Sequence, residues 1–234
     1  MAEFELRLAL ARRRLFVLNV IVPLFLVTPI ALGAAPPVHA SVAYTVLFVL
    51  FGTFGSAIPL VRDAEAGLLE RVLLIGARPA AYLLQRSAAG CLIDSLQLLP
   101  ALVVVLLGTG ASQARLAGLW LALTASLWIA NLLGIMVASS ARSLAETALL
   151  SAVTALLLLH ASGVFRTPAP GSAWATLERV SPFRALHETT LSLPEGAAVG
   201  VHTSLFIWAL GLPAVTALLA RPLTGALRTM ERAR

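Results

Sequence analysis

Long apolar stretches alternate with short arginine-bearing segments along this chain, and that alternation restricts the fold more than any other feature. Six stretches approach the ~20 apolar residues that a helix needs to cross ~30 Å of hydrocarbon. They cover residues 15–33, 42–61, 88–108, 116–138, 144–164 and 200–220. The pattern predicts an all-α polytopic membrane protein of one transmembrane domain, with six transmembrane helices and both termini on one side.

The composition excludes an ordinary soluble domain. Hydrophobic residues make up 59% of the chain and charged residues only 12%, too little polar surface to keep such a core in water. The net charge of +6 does not indicate a nucleic-acid partner, because the arginines flank the predicted spans, where anionic headgroups account for them. We expect membrane lipids as partners and no nucleic acid.

The arginines also predict an orientation. Four of the 17 basic residues fall on the side opposite the termini, namely Arg115, Arg166, Arg179 and Arg184. The others share the side of the termini: Arg7, Arg12, Arg13, Arg14, Arg62, Arg71, Arg78, Arg86, Arg142, Arg221, Arg228, Arg232 and Arg234. Since the positive side of a membrane protein stays cytoplasmic, we expect a plasma (inner) membrane protein with both termini inside.

Two segments on the inner side read as amphipathic helices. Residues 1–14 mix leucines with glutamates and arginines, as in a helix that lies at the membrane interface. The connection 62–86 places charged residues next to an apolar run at 72–75, and Gly76 and Pro79 mark its end. We therefore expect an interfacial N-terminal helix and a short cytoplasmic helix, the latter pressed against the inner surface.

The longest outer connection, 165–199, is divided by prolines into two half-apolar pieces, 172–180 and 183–193. Each piece is long enough for two or three helical turns. Half-apolar pieces rarely stay in water, so we expect a re-entrant helical hairpin in the outer leaflet. Its candidate anchoring residues are Trp174, Pro182 and Phe183.

Two runs of residues resemble a known family. The run LVRDAEAGLLERVLLIGARPAAYLLQR resembles the stretch between the second and third spans of ABC-2 type permeases, the membrane subunits of one class of ATP-binding-cassette exporters. The run SGVFRTPAPGSAWATLERVSPFRALHETTLSL is similar to that family's segment after the fifth span. The resemblance implies a homodimer or paired permease that moves substrate outward and a separate ABC ATPase docking on the inner face.

The resemblance also gives the inner helix a role, that of transmitting the ATPase's closure to the spans. The candidate coupling residues are Arg62, Asp63, Glu65, Gly67, Leu69, Glu70 and Arg71. The alternative is that these charges form only a solvated helix face. The chain contains no lysine, so it cannot form a phosphate loop of the G-x-x-x-x-G-K-[ST] type. We expect no cofactor on this chain, with ATP and Mg on the partner ATPase.

Polar residues within the spans are few. Asp94, Gln97 and Asn131 are candidates for a substrate path, because an ionisable group in a span is costly. A structural polar contact between spans explains Asp94 equally well. The scarcity of polar residues favours an amphipathic or lipid-like cargo.

Three other readings stay open. The haem-exporter membrane subunit of cytochrome c maturation has the same number of spans, although the long outer segment argues against it. An intramembrane serine hydrolase would use Ser162 with His202 as its base. The third is a metal or haem site, because four histidines fall on the outer side: His39, His160, His187 and His202. Against it, no pair has ligand spacing on one helix and Cys91 is the only cysteine.

Overall fold

The computed structural model describes residues 13–33, 35–110, 113–166, 169–193 and 203–232, and within these ranges the regular structure is entirely helical. The described ranges contain ten helices in this order: α1 (Arg13–Leu32), α2 (Pro37–Glu65), α3 (Leu68–Leu74), α4 (Pro79–Thr109), α5 (Gln113–Ala138), α6 (Leu144–Ala161), α7 (Ala173–Val180), α8 (Pro182–Leu191), α9 (Thr203–Leu218) and α10 (Ala220–Arg232). Most of residues 1–14, the expected interfacial helix, lie outside the described ranges.

Six of these helices coincide with the six predicted stretches. Helices α2, α4, α5 and α6 are long and apolar enough to cross a membrane by themselves. Helices α9 and α10 meet the same test only as one pair, bent by 60° at their junction. Helix α1 is apolar over the shorter range Phe16–Leu32. The chain is therefore a multi-pass membrane protein, and its described part is all-helical with four or five candidate spans by length and composition.

Local sequence sets where several helices begin and end. Pro37, Pro79 and Pro182 occupy the first turn of α2, α4 and α8, where the missing proline N–H is not needed. Gly110 ends α4 in the left-handed conformation, with φ 66°, which glycine adopts without a steric penalty. Helix α6 begins at the N-cap Ser143, whose side chain accepts from the Glu146 N–H, while the Glu146 carboxylate accepts from the Arg142 N–H at 2.7 Å. Residues 142–146 thus form a capping arrangement at the start of α6.

Helices α2 and α5 form the centre of the bundle and approach each other closely at glycines. A Cβ on Gly52 would lie 2.6 Å from the Ala130 Cβ, and one on Gly134 would collide with the Thr53 carbonyl oxygen. Small residues allow this approach, which van der Waals packing then stabilises in place of a hydrophobic driving force.

The helices alternate in direction, so the bundle has two distinct ends. One apolar cluster contains the end of α2, the start of α4, the end of α5 and the start of α10. We call this the arginine-rich end, because most of the described arginines of the termini side lie on the segments that meet there. The other, the hairpin end, carries α7 and α8, and its cluster joins Phe183 to α5 and α9.

The third long helix begins earlier than the sequence predicted. The expected connection 62–86 shrinks to residues 66–78, because Arg62 to Glu65 complete α2 and Pro79 to Arg86 form the first turns of α4. The prediction started this span at residue 88 because charged Arg86 interrupts the apolar run. The structure accommodates Arg86 by pairing it with a carboxylate on α2.

Candidate functional site

The short helix α3 at the arginine-rich end begins at a left-handed glycine and packs one side against the bundle. Its N-cap, Gly67, has φ 70°, a left-handed backbone conformation that residues other than glycine rarely adopt. Leu69 is fully buried in the apolar cluster of that end. Leu69 therefore holds α3 to the bundle, and its predicted part in coupling stays a prediction.

The opposite side of α3 is open. Leu74 and Ile75 are 75% and 85% exposed, and Leu68 and Arg71 are exposed as well. Glu70 is half-buried beside them. The structure buries Leu69 and leaves the end of the helix uncovered by the rest of the described chain, and the predicted contact of α3 with the inner membrane surface stays a prediction. A rigidly anchored helix with a mixed apolar and charged outer side has the composition of a docking element.

The other predicted coupling residues divide into two groups. Arg62 is exposed at the end of α2 and Glu65 is partly buried there. Asp63 instead faces the bundle, where its Oδ2 lies 3.1 Å from Nη2 of Arg86. Arg86 is only 6% exposed and Asp63 20%. Asp63 therefore joins α2 to α4 and is not available as a free charge on a docking surface.

The candidate path residues Asp94 and Asn131 meet in a buried polar network between α2, α4 and α5. The Asn131 side-chain amide donates to Asp94 Oδ2 at 3.0 Å and to the Leu127 carbonyl at 2.9 Å. Ser56 Oγ donates to the amide oxygen of Asn131. All three polar residues are at least nine-tenths buried.

Glycines enclose this network. A Cβ on Gly55 would collide with the Asp94 carboxylate, and one on Gly90 would lie 2.6 Å from both Asn131 Oδ1 and Ser56 Oγ. Gln97 lies one turn beyond Asp94 on α4, and its buried Oε1 accepts no hydrogen bond within the described part of the chain. Within one copy, then, Asp94 and Asn131 make an interhelical contact, and their place on a substrate path stays a prediction.

The hairpin end is built from α7 and α8, which differ in burial. Phe183 is fully buried and Pro182 is buried beside it, so α8 inserts into the bundle. Helix α7 has no buried residue, and its apolar Leu177 and Val180 are exposed. Trp174 on α7 is 47% exposed, with the Arg166 guanidinium 4.3 Å from its ring centroid.

Long-range hydrogen bonds attach the hairpin to the spans. Ser41 Oγ on α2 lies 2.8 Å from His187 Nδ1 and 2.6 Å from Thr190 Oγ1. The Trp208 indole on α9 donates to the Val180 carbonyl at 2.7 Å. Burial lowers the pKa of His187 below its ordinary value of 6.5, and nearby Glu188 partly opposes the shift. The neutral imidazole is thus the form that fits this site.

Neither the hydrolase nor the metal interpretation gains support from the described residues. Ser162 Oγ donates to the Leu158 carbonyl at 2.6 Å and shares a hydrogen bond with Ser181 Oγ, which makes it a helix-end contact. His202 lies outside the described residues. No group of three histidine, cysteine or carboxylate side chains within the described ranges is arranged to hold a metal ion.

Comparison with known proteins places the chain in one family. The sequence model of the ABC-2 type transporter family matches residues 5–193. No curated protein matches the chain at a significant level. The matched range includes α3, the polar network and both helices of the hairpin.

Proposed function

The chain belongs to the ABC-2 type transporter family, a family of membrane transport components that normally lack an ATPase site of their own, and from that premise we propose that it is the permease subunit of an exporter. A separate ABC ATPase binds and hydrolyses ATP with Mg²⁺, and two permeases form the translocation path. In this proposal the chain crosses the membrane six times, with α1 as the first crossing and α9 as the sixth.

The observation that carries this proposal is the uncovered side of α3. A partner that drives transport by closing on ATP must push on an element that is exposed to it and rigidly joined to the spans. Helix α3 meets both conditions, because Leu74 and Ile75 are exposed while Leu69 is buried in the bundle. Arg62, Glu70 and Arg71 add charges that a partner surface can complement.

The proposed orientation places the arginine-rich end in the cytoplasm and the hairpin end outside. Single cysteines test it in a Cys91→Ala background. Ala66 and Ala173 suit this purpose because both are exposed, at opposite ends of the bundle. An impermeant thiol reagent added to intact cells is expected to modify A173C and not A66C. The reverse labelling pattern would contradict the orientation.

The burial of polar groups within one copy supports the proposal that two copies form the path. The candidate path residues Asp94 and Asn131 are bonded to each other between helices, so a path through one copy would first have to break that network. A path between two copies leaves it intact. The exposed sides of α1 and α6 are apolar, which suits an amphipathic or lipid-like cargo better than an ion.

Charge reversal on α3 tests the proposed coupling. The double variant Glu70→Arg, Arg71→Glu keeps the net charge and leaves Leu69 in place, so we expect normal insertion. Less of the co-expressed ATPase is expected to co-purify with the variant. ATP hydrolysis is expected to become uncoupled from export. The matched control reverses Arg179, which is exposed at the other end. Full ATPase binding and full export by the double variant would show that Glu70 and Arg71 are only a solvated face.

A further inference from the structure

A groove of about 310 Å³ lies at the arginine-rich end, between the end of α3 and helix α10. Leu73, Ala77 and Pro79 line one wall, and Arg221 and Arg228 line the other. The two arginines are seven residues apart, about two helical turns, so they share one face of α10. Two cations thus face a groove with an apolar opposite wall.

The guanidinium groups have no carboxylate partner in the part of the chain that the structure describes. The salt bridges found there join other arginines, Arg86 and Arg184. The Nε of Arg228 is buried without a hydrogen-bond partner. Because a charged group without a partner is costly to remove from water, two arginines that line one groove favour an anion as its ligand.

Two further features of the groove favour an anion. Pro79 is the first residue of α4, and the N-cap Arg78 makes no side-chain capping bond, so the positive end of the helix dipole adds to the arginine charges. Gly225 forms part of the lining, and no atom lies within 4 Å of the position its Cβ would occupy. Space therefore remains between Arg221 and Arg228 for a phosphate group.

The position of the groove indicates which molecule supplies the anion. Helix α10 leaves α9 at 60°, where the last span ends, and the exposed apolar Leu74 and Ile75 stand beside the groove on α3. A phosphate attached to acyl chains matches this combination of two arginines and an apolar rim. We propose that the groove binds the headgroup phosphate of an anionic phospholipid of the inner leaflet. The bound lipid then joins α10 to the end of α3.

Lipid retention by the purified full-length chain tests this proposal. Native mass spectrometry would follow phosphatidylglycerol kept by the detergent-solubilised protein. An arginine near anionic lipid contributes roughly fivefold in affinity, so the double variant Arg221→Gln, Arg228→Gln is expected to retain the lipid roughly 25-fold less well. Arg142→Gln is the matched control, because Arg142 is exposed at the same end and does not line the groove. Equal retention by the double variant and the wild type would overturn the proposal.

Competing ligands give different results in the same experiment. Inorganic phosphate binding with the same dependence on Arg221 and Arg228, without any retained phosphatidylglycerol, would mean that the groove takes a free anion, and the lipid proposal would be wrong. Loss of co-purifying ATPase with unchanged lipid retention would identify a protein docking surface and would also overturn it. Labelling of buried Cys91 on heating must match the wild type, which confirms that the double variant is folded. The lipid measurement needs no ATPase, so it can fail while the proposed transport function stands.

Discussion

The Asp63–Arg86 ion pair provides the most quantitative prediction. The Arg86 side chain is 6% exposed and the Asp63 side chain is 20% exposed, so the two single variants are expected to lose different amounts of stability. Asp63→Asn leaves a buried guanidinium without its carboxylate, a change that typically costs about 3–5 kcal/mol. Arg86→Gln leaves a carboxylate that still reaches water, and we expect it to cost about 2 kcal/mol, less than the full penalty. The double variant removes both charges and should recover most of the lost stability.

The chain carries its own reporter for this measurement. Cys91 is the only cysteine and is 5% exposed, so a thiol-reactive dye labels it only when the bundle opens. Heating in detergent with the dye gives an unfolding midpoint for each variant. We expect the order wild type, then double variant, then Arg86→Gln, then Asp63→Asn, with Glu70→Gln as a charge-removing control at the wild-type midpoint. Equal midpoints for Asp63→Asn and wild type, or a double variant as unstable as the sum of both single changes, would refute the reasoning.

Three further predictions concern the hairpin end and the helix packing. Burial lowers the pKa of His187. The stability that the neutral imidazole contributes is therefore present above the ordinary value of 6.5 and is lost as the pH falls through the lowered value. His187→Gln should flatten this acid dependence in the thiol-labelling assay, and an unchanged slope would contradict the prediction. Gly134→Val forces side-chain atoms against a backbone carbonyl of α2 and should cost about 1–3 kcal/mol, whereas Gly211→Val, with open space at its Cβ, should change the labelling midpoint far less. In a variant whose other three tryptophans are phenylalanine, Trp174 should be quenched by brominated lipids at shallow depth, and quenching by aqueous iodide alone would place α7 in water.

Sequence patterns predicted the helices well, because each apolar stretch must form a helix to satisfy its backbone in lipid. They misplaced the start of α4, since an arginine in an apolar run reads as a boundary unless its partner on another helix is known. Helix α10 was not predicted, because the last apolar stretch ends at residue 220. Its signal was nonetheless in the sequence, because Ala220, Leu223, Thr224 and Leu227 recur at helical spacing and form its buried or partly buried side.

The candidate site was predicted in position more than in detail. The charges at 62–71 located the short inner helix, but spacing could not show that Leu69 faces inward while Leu74 and Ile75 face outward. The ion pair of Asp63 depends on tertiary contact with α4. The hydrogen bonds between Ser41 and His187 join residues 146 positions apart, and no local sequence pattern predicts them. The sequence singled out Asp94 as a costly group in a span but could not show its bond to Asn131, which is consistent with the structural explanation.

The central claim, that a separate ATPase acts on this chain through α3, is tested most directly by photocrosslinking. A photoreactive amino acid at Ile75, which is 85% exposed, should crosslink to the ATPase in the assembled complex, and a non-hydrolysable ATP analogue should change the yield. The matched position is Leu177, an exposed apolar residue at the hairpin end, where no such crosslink is expected. An assembled complex that crosslinks from Leu177 and not from Ile75 would contradict both the coupling role of α3 and the proposed orientation.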